Sequence, residues 1–143
     1  MIKKILIALL LILVIIQFIP ALPENQPEPE ASLLNTEVPL EVSAIMEKAC
    51  YDCHSYSAKW PWYANVAPVS FWIGNHVKEG REHFNLSEWN TYSEKRQKHK
   101  AEEAVEEITE GEMPLESYTK MHSDTRLTNG EKEILIAYFK SLK

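Results

Sequence analysis

The chain has 143 residues, of which 25% are charged and only four are glycine, and its formal net charge is −6. This length and composition fit one small globular domain and exclude two large domains or a disordered chain. With two cysteines in all, a disulfide framework cannot supply rigidity, and the acidic balance argues against a nucleic-acid partner, which would require a basic stripe.

The N-terminus carries an apolar segment. Residues 5–19 are broken only by Gln17, with two lysines before them and a proline after them. This is the layout of a secretory signal, so we expect the rest of the chain to be exported. Residues 2–22 are also close to the roughly 20 residues of a membrane-spanning helix. The segment 1–21 is therefore either a signal peptide that is cleaved or an anchor that is retained.

Residues 22–38 are rich in proline and glutamate. Such a composition buries little apolar surface, so we predict a flexible tether that leads to a folded unit at 39–143. Without the leader and its two lysines, the exported part carries 13 basic and 21 acidic side chains, a net charge of −8. An anionic partner is therefore not expected.

The folded unit is predicted to be all-α. Apolar residues at helical spacing predict four helices, which run from Pro39 to about Cys50, from Pro68 to about Gly80, from Ser93 to Glu110 and from Thr128 to Leu142. Gly80 and Gly111 are predicted to end the second and third helices. Thr128 and Glu131 have the spacing of a capping box at the start of the fourth. No stretch alternates as a strand would.

The most informative motif is Cys50-Tyr51-Asp52-Cys53-His54. Two cysteines three positions apart with a histidine after the second is the spacing of covalent c-type haem attachment. Each thiol adds to one vinyl group of the porphyrin, and the imidazole of His54 then reaches the iron as the proximal ligand. We therefore predict one covalent haem c, with its iron, on Cys50 and Cys53. A disulfide or thiol-redox pair and half of a zinc site are the alternatives.

Further short motifs carry a family resemblance. Besides Cys50-Tyr51-Asp52-Cys53-His54, which we call the haem motif, they are Trp60-Pro61-Trp62-Tyr63, Ala67-Pro68-Val69-Ser70, Gly80-Arg81-Glu82-His83, Gly111-Glu112-Met113-Pro114 and Tyr118. In these motifs the chain resembles the exported c-type haem-binding domain family of bacteria, and it is similar to class I cytochromes c, over about residues 42–142. The resemblance implies binding of haem c and points to Met113 as the distal iron ligand.

Several residues compete for the second axial position. Met113 lies between Gly111 and Pro114, where the backbone cannot continue as a helix, so a rigid loop presents its side chain. Met121 and His76 are alternatives, but His76 falls on an apolar helix stripe, which favours a core histidine. The histidines His83, His99 and His122 have polar neighbours and are expected at the surface, although bis-histidine ligation by one of them or by His76 is an alternative. Met46 is expected in the core. An open coordination site is the remaining possibility.

Three further residues are candidates for the haem pocket. Trp62 and Trp72 are explained most simply as core, but such rings could also shield a porphyrin from water. Arg81 could pair with a haem propionate, although a surface ion pair is the plainer explanation.

The function predicted from these residues is single-electron transfer outside the cytoplasmic membrane, without a catalytic group. The expected partner is a redox protein of the periplasm or membrane, with the N-terminal helix as a membrane contact if it is uncleaved. A haem peroxidase, or a haem subunit of a larger oxidoreductase, would instead have an open site and an acid–base residue such as His76. A haem-based redox or ligand sensor is the third possibility.

Overall fold

The computed structural model describes residues 1–142, and that part of the chain contains helices, turns and loops but no β-strand. The all-α prediction is confirmed. The helices are α1 (Ile2–Ile16), α2 (Leu40–Ala49), α3 (Tyr51–His54), α4 (Val69–His83), α5 (Glu94–Glu110), α6 (Glu116–Met121) and α7 (Asn129–Ser141). Short 3₁₀ turns lie at Leu33–Asn35, Trp62–Asn65, Leu86–Thr91 and Ser123–Thr125.

The ends of α5 and α7 follow from local side-chain chemistry. The Ser93 hydroxyl accepts a hydrogen bond from the backbone N–H of Arg96 at the start of α5. Gly111 ends that helix with a φ of 82°, a left-handed conformation that glycine adopts without strain. At the start of α7, Thr128 and Glu131 form the predicted capping box. The predictions for both helices are confirmed.

Helix α4 continues past its predicted end at Gly80 and runs to His83. Gly80 has a different reason to be glycine, because a Cβ atom there would lie 2.7 Å from the carbonyl oxygen of Cys53. The absent side chain lets α4 and the haem motif approach each other closely. The prediction of Gly80 as a helix stop is wrong, since a glycine needed for close packing looks the same in the sequence as a terminal one.

The core lies where α2, α5 and α7 meet. Helix α7 packs against both α5 and α2, and Met46, Leu135 and Phe139 are fully or almost fully buried between them. Each such side chain contributes about 1.5–3 kcal/mol when it leaves water. The expected core position of Met46 is confirmed.

The segment 22–38 lies along the helical domain. The backbone N–H of Gln26 donates to the Tyr56 carbonyl over 3.1 Å, and Ser57 donates to the Glu28 carboxylate over 2.9 Å. Leu33 is only 2% exposed and belongs to the core cluster. The segment was expected to be a free tether, but it packs on the domain. Backbone hydrogen bonds and the buried side chain of Leu33 hold it there despite its polar composition.

Helix α1 has 15 residues and no buried side chain. Within residues 1–142, no helix combines the length and the apolar character that crossing a membrane requires.

Candidate functional site

A cavity of about 470 Å³ opens beside the haem motif. This volume falls in the range of about 300–1,000 Å³ that small-molecule and cofactor sites occupy. Apolar and aromatic side chains dominate its walls. It is lined by Asp52, Cys53, Lys59, Trp60, Pro61, Trp62, Tyr63, Val69, Trp72, Ile73, His76, Val77, Leu115, Ser117, Tyr118, Met121 and His122.

The imidazole of His54 is held in one orientation from the end of α4. Its Nδ1 atom lies 3.0 Å from the carbonyl oxygen of Gly80 and 2.8 Å from that of Phe84. A carbonyl only accepts, so Nδ1 carries the proton. Burial lowers the pKa of His54, so the ring is neutral and Nε2 keeps its lone pair. This is the tautomer and the hydrogen bonding that a metal-bound histidine uses.

The two cysteines of the motif are free thiols, of which Cys50 lies between α2 and α3 and Cys53 lies within α3. Burial raises the pKa of Cys50 to about 12, and burial raises that of Cys53 to about 11. Both groups are therefore protonated near neutral pH, and a protonated thiol is a poor nucleophile. Attachment of a group to these sulfurs is favoured before the folded chain buries them.

Four polar residues form one side of the cavity, and we call Asp52, Tyr63, Tyr118 and His122 the polar wall. The Tyr118 hydroxyl donates to Asp52 Oδ2 over 2.7 Å, which links α6 to the haem motif. Tyr63 and His122 join through the tyrosine hydroxyl and Nε2, 2.5 Å apart, and this bond ties the Trp62–Asn65 turn to the end of α6. Helix α6 is thereby held at Tyr118 and at the residue that follows its C-terminal end.

Sequence reasoning missed the polar wall and expected His122 at the surface. His122 is instead half-buried, and its ring stacks on Tyr118 with centroids 4.8 Å apart. The i, i+4 spacing of these two rings was the one available signal, because that spacing places two side chains on the same helix face.

The candidates for the distal position lie in different places. His76 and Met121 line the cavity, whereas Met113 is not among its lining residues. The loop that carries Met113 nevertheless borders the cavity, because Leu115 lines it. The carbonyl of Glu107 fixes this loop by accepting the N–H groups of residues 111, 112 and 113. His76 is half-buried where a core histidine was expected, and its Nδ1 pairs with the Trp72 carbonyl.

Of the three residues considered for the haem pocket, the two tryptophans line the cavity and the arginine does not. Trp62 and Trp72 line the cavity and are 80% and 51% exposed, so neither belongs to the core. The Arg81 guanidinium is 2.8 Å from the Ser55 carbonyl oxygen and 3.0 Å from that of Glu24, and it does not line the cavity. Arg81 therefore joins the haem-motif loop to the N-terminal segment. Lys59 is the cation that borders the cavity.

The chemistry of the site fits a porphyrin. The cavity offers a large apolar surface and the Cys53 thiol borders it, whereas Cys50 and His54 are not among its lining residues. His54 directly follows Cys53 in the chain, and its neutral imidazole has a free lone pair at Nε2. Among residues 1–142, no group of three or more His, Cys, Asp or Glu side chains is placed to hold a metal ion by itself.

Comparison with known proteins gives one match. A family model described as a haem-binding domain matches residues 11–141. No curated protein and no solved structure matches the chain.

Proposed function

This chain belongs to the haem-binding domain family, and we propose that it carries one covalent haem c and transfers single electrons outside the cytoplasmic membrane. Its partner in this proposal is a redox protein of the periplasm or membrane. The acidic exported part, with its net charge of −8, favours a partner with a basic docking surface.

The observation that carries the proposal is the state of His54. The carbonyls of Gly80 and Phe84 fix its ring and its tautomer, and the only two cysteines of the chain stand just before it. Among the described residues, no hydrogen bond engages Nε2. An imidazole that is neutral and oriented in this way is prepared to bind iron.

In the proposed site, Cys50 and Cys53 hold the porphyrin through two thioethers and His54 supplies the proximal ligand. The haem supplies the one-electron chemistry of its iron. The lining of the cavity is mostly apolar, and the exposed rings of Trp62 and Trp72 at its edge would cover part of a bound porphyrin. The polarity around a bound redox group is one of the properties that tune its potential.

Met113 is the proposed distal ligand. Its loop is fixed by the Glu107 carbonyl and borders the cavity at Leu115. A thioether ligand stabilises the reduced state and so raises the reduction potential.

Covalent attachment is tested by a pyridine haemochrome assay on protein made with a haem c maturation system. We expect the wild type to carry one haem that resists acid–acetone extraction. Cys50→Ser and Cys53→Ser should each lose the two-thioether spectrum, whereas Ser55→Ala, a change just outside the motif, should keep it. A wild-type protein with the bare mass of its amino acids and no Soret absorbance would refute the proposal.

The distal ligand is tested by Met113→Ala with Met121→Ala as the matched control. Met113→Ala should keep the covalent haem, lose the long-wavelength band of methionine-ligated ferric haem and become high-spin. Met121→Ala should leave the spectrum unchanged. An unchanged low-spin spectrum in Met113→Ala would show that another residue is the ligand.

A haem peroxidase is the second candidate. One observation favours it: His76 and His122 line the cavity, so an imidazole is available for acid–base work near an open iron. A high-spin wild-type spectrum, together with peroxide-dependent oxidation of a dye that is lost in His76→Ala or His122→Ala, would favour this function over electron transfer.

A further inference from the structure

We propose that the N-terminal leader is retained in the mature protein, because residues 17–22 are a built part of the haem-binding domain. They lie on a surface formed by Ala67, Ser70 and Gly74, which we call the leader seat. The proposal rests on export as proposed above. It decides between the two fates of the leader that the sequence leaves open.

Gln17 makes the first specific contact with the leader seat. Its side-chain amide donates to the Ala67 carbonyl over 3.1 Å, and its side-chain oxygen accepts the Ala67 N–H over 3.0 Å. The two bonds satisfy both backbone groups of a residue that is only 6% exposed. Without this pairing, two buried backbone groups would need other partners. The one polar residue within the apolar run is therefore explained by the domain that follows it.

Ala21 makes the second contact, at Gly74. A Cβ atom on Gly74 would lie 2.0 Å from the Ala21 carbonyl oxygen and 2.9 Å from its carbon. Only a glycine in the middle of α4 allows the leader backbone to lie this close. A glycine inside a helix is less stable than alanine by about 0.5–1 kcal/mol. The contact with the leader backbone gives a reason for a glycine at this position in α4.

The chain remains attached beyond the leader seat. Arg81 holds the Glu24 carbonyl and, over 3.3 Å, the Asn25 side-chain oxygen. The Asn25 amide donates to the Ala58 carbonyl over 2.6 Å. Removal of the leader at about residue 20 would break the contacts of Gln17 and leave Ala21 at a new, charged N-terminus.

The leader seat also adjoins the haem cavity. Ser70 and Gly74 face the leader, while Val69 and Trp72 of the same helix line the cavity. The 3₁₀ turn Trp62–Asn65 borders both the leader and the cavity, because Ala64 and Asn65 lie beside residues 17–22 while Trp62 and Tyr63 line the cavity. A retained leader therefore fixes the position of the haem cavity relative to the apolar helix.

The first test is the intact mass of the holoprotein purified from cells that export it. We expect a mass equal to residues 1–143 plus one haem. A mature chain that begins between residues 18 and 30 overturns the inference. Haem content is measured separately by the haemochrome assay, so a haem-loaded protein without its leader refutes this inference alone, whereas a full-length protein without haem refutes the proposed function alone.

The second test changes the leader seat without changing the leader. Gly74→Ala should lift residues 17–22, and Gly130→Ala is the matched control because nothing lies within 4 Å of its added Cβ. Full-length holoprotein is treated with a glutamate-specific protease, and cleavage after Glu24 is followed, because Pro29 blocks the bond after Glu28. Cleavage in Gly74→Ala should be about tenfold faster than in the wild type, because an overpacked contact opens more readily. Equal rates in Gly74→Ala and Gly130→Ala would overturn the inference.

Discussion

Replacement of Gly80 by alanine tests the close contact between α4 and the haem motif. The added Cβ would lie 2.7 Å from the Cys53 carbonyl oxygen and 3.4 Å from the Cys53 Cβ. Ordinary van der Waals contact begins at 3.4 Å, so the two backbones must separate. The same movement weakens the bond from His54 Nδ1 to the Gly80 carbonyl, now 3.0 Å. The change therefore acts on the proposed proximal ligand as well as on packing.

Two opposing effects set the magnitude. Alanine in place of glycine favours a helix by about 0.5–1 kcal/mol, whereas overpacking costs about 1–3 kcal/mol. The contact atom at Gly80 is a backbone oxygen, which cannot rotate away as a side chain would, so the overpacking cost dominates. We expect a net loss of about 1–2 kcal/mol, or ~3–6 °C in the unfolding temperature for a chain of this size.

The assay is thermal unfolding of the holoprotein, followed by circular dichroism and by Soret absorbance. Gly130→Ala, which meets no neighbour, should match or exceed the stability of the wild type. A Gly80→Ala protein as stable as Gly130→Ala would refute the argument that this glycine exists for close approach.

Three further predictions concern the capping box, the polar wall and the thiols. Hydrogen bonds from Lys48 and from Thr128 at the start of α7 lower the pKa of Glu131 from 4.5 to about 2. The ionised Glu131 therefore stabilises the folded protein fully above pH 4.5, and this stabilisation is lost as the pH falls towards 2. Glu131→Gln should cost ~1 kcal/mol at neutral pH and flatten this acid dependence in pH-resolved melting curves, unlike Glu133→Gln in the same helix. Tyr118→Phe removes the bond to Asp52, and it should cost ~1–2 kcal/mol in denaturant unfolding and weaken the methionine–iron band. Since the Cys53 pKa rises from 9.0 to about 11, its alkylation at pH 8 in haem-free protein should be about a hundredfold slower in buffer than in urea; equal rates would contradict the burial of the thiol.

Much of the candidate site could be predicted from residues close together in the chain. The haem motif, the capping box at Thr128 and the stop at Gly111 depend on groups a few positions apart, so their chemistry is visible in the sequence. The polar wall could not be predicted, because Tyr63 and His122 are 59 positions apart. Arg81 was a candidate for the pocket because its planar guanidinium matches a propionate carboxylate. Its actual hydrogen bonds, to the N-terminal segment, depend on long-range geometry.

The all-α class and the motif of Cys50, Cys53 and His54 are visible without the fold, because helix periodicity, helix caps and the spacing of two thiols are local properties of the chain. Folding sets the orientation of the His54 imidazole, the glycines that permit close approach and the position of residues 17–38. These features depend on backbone groups that every residue carries alike, and only the folded chain shows which carbonyl, such as that of Gly80, meets which side chain.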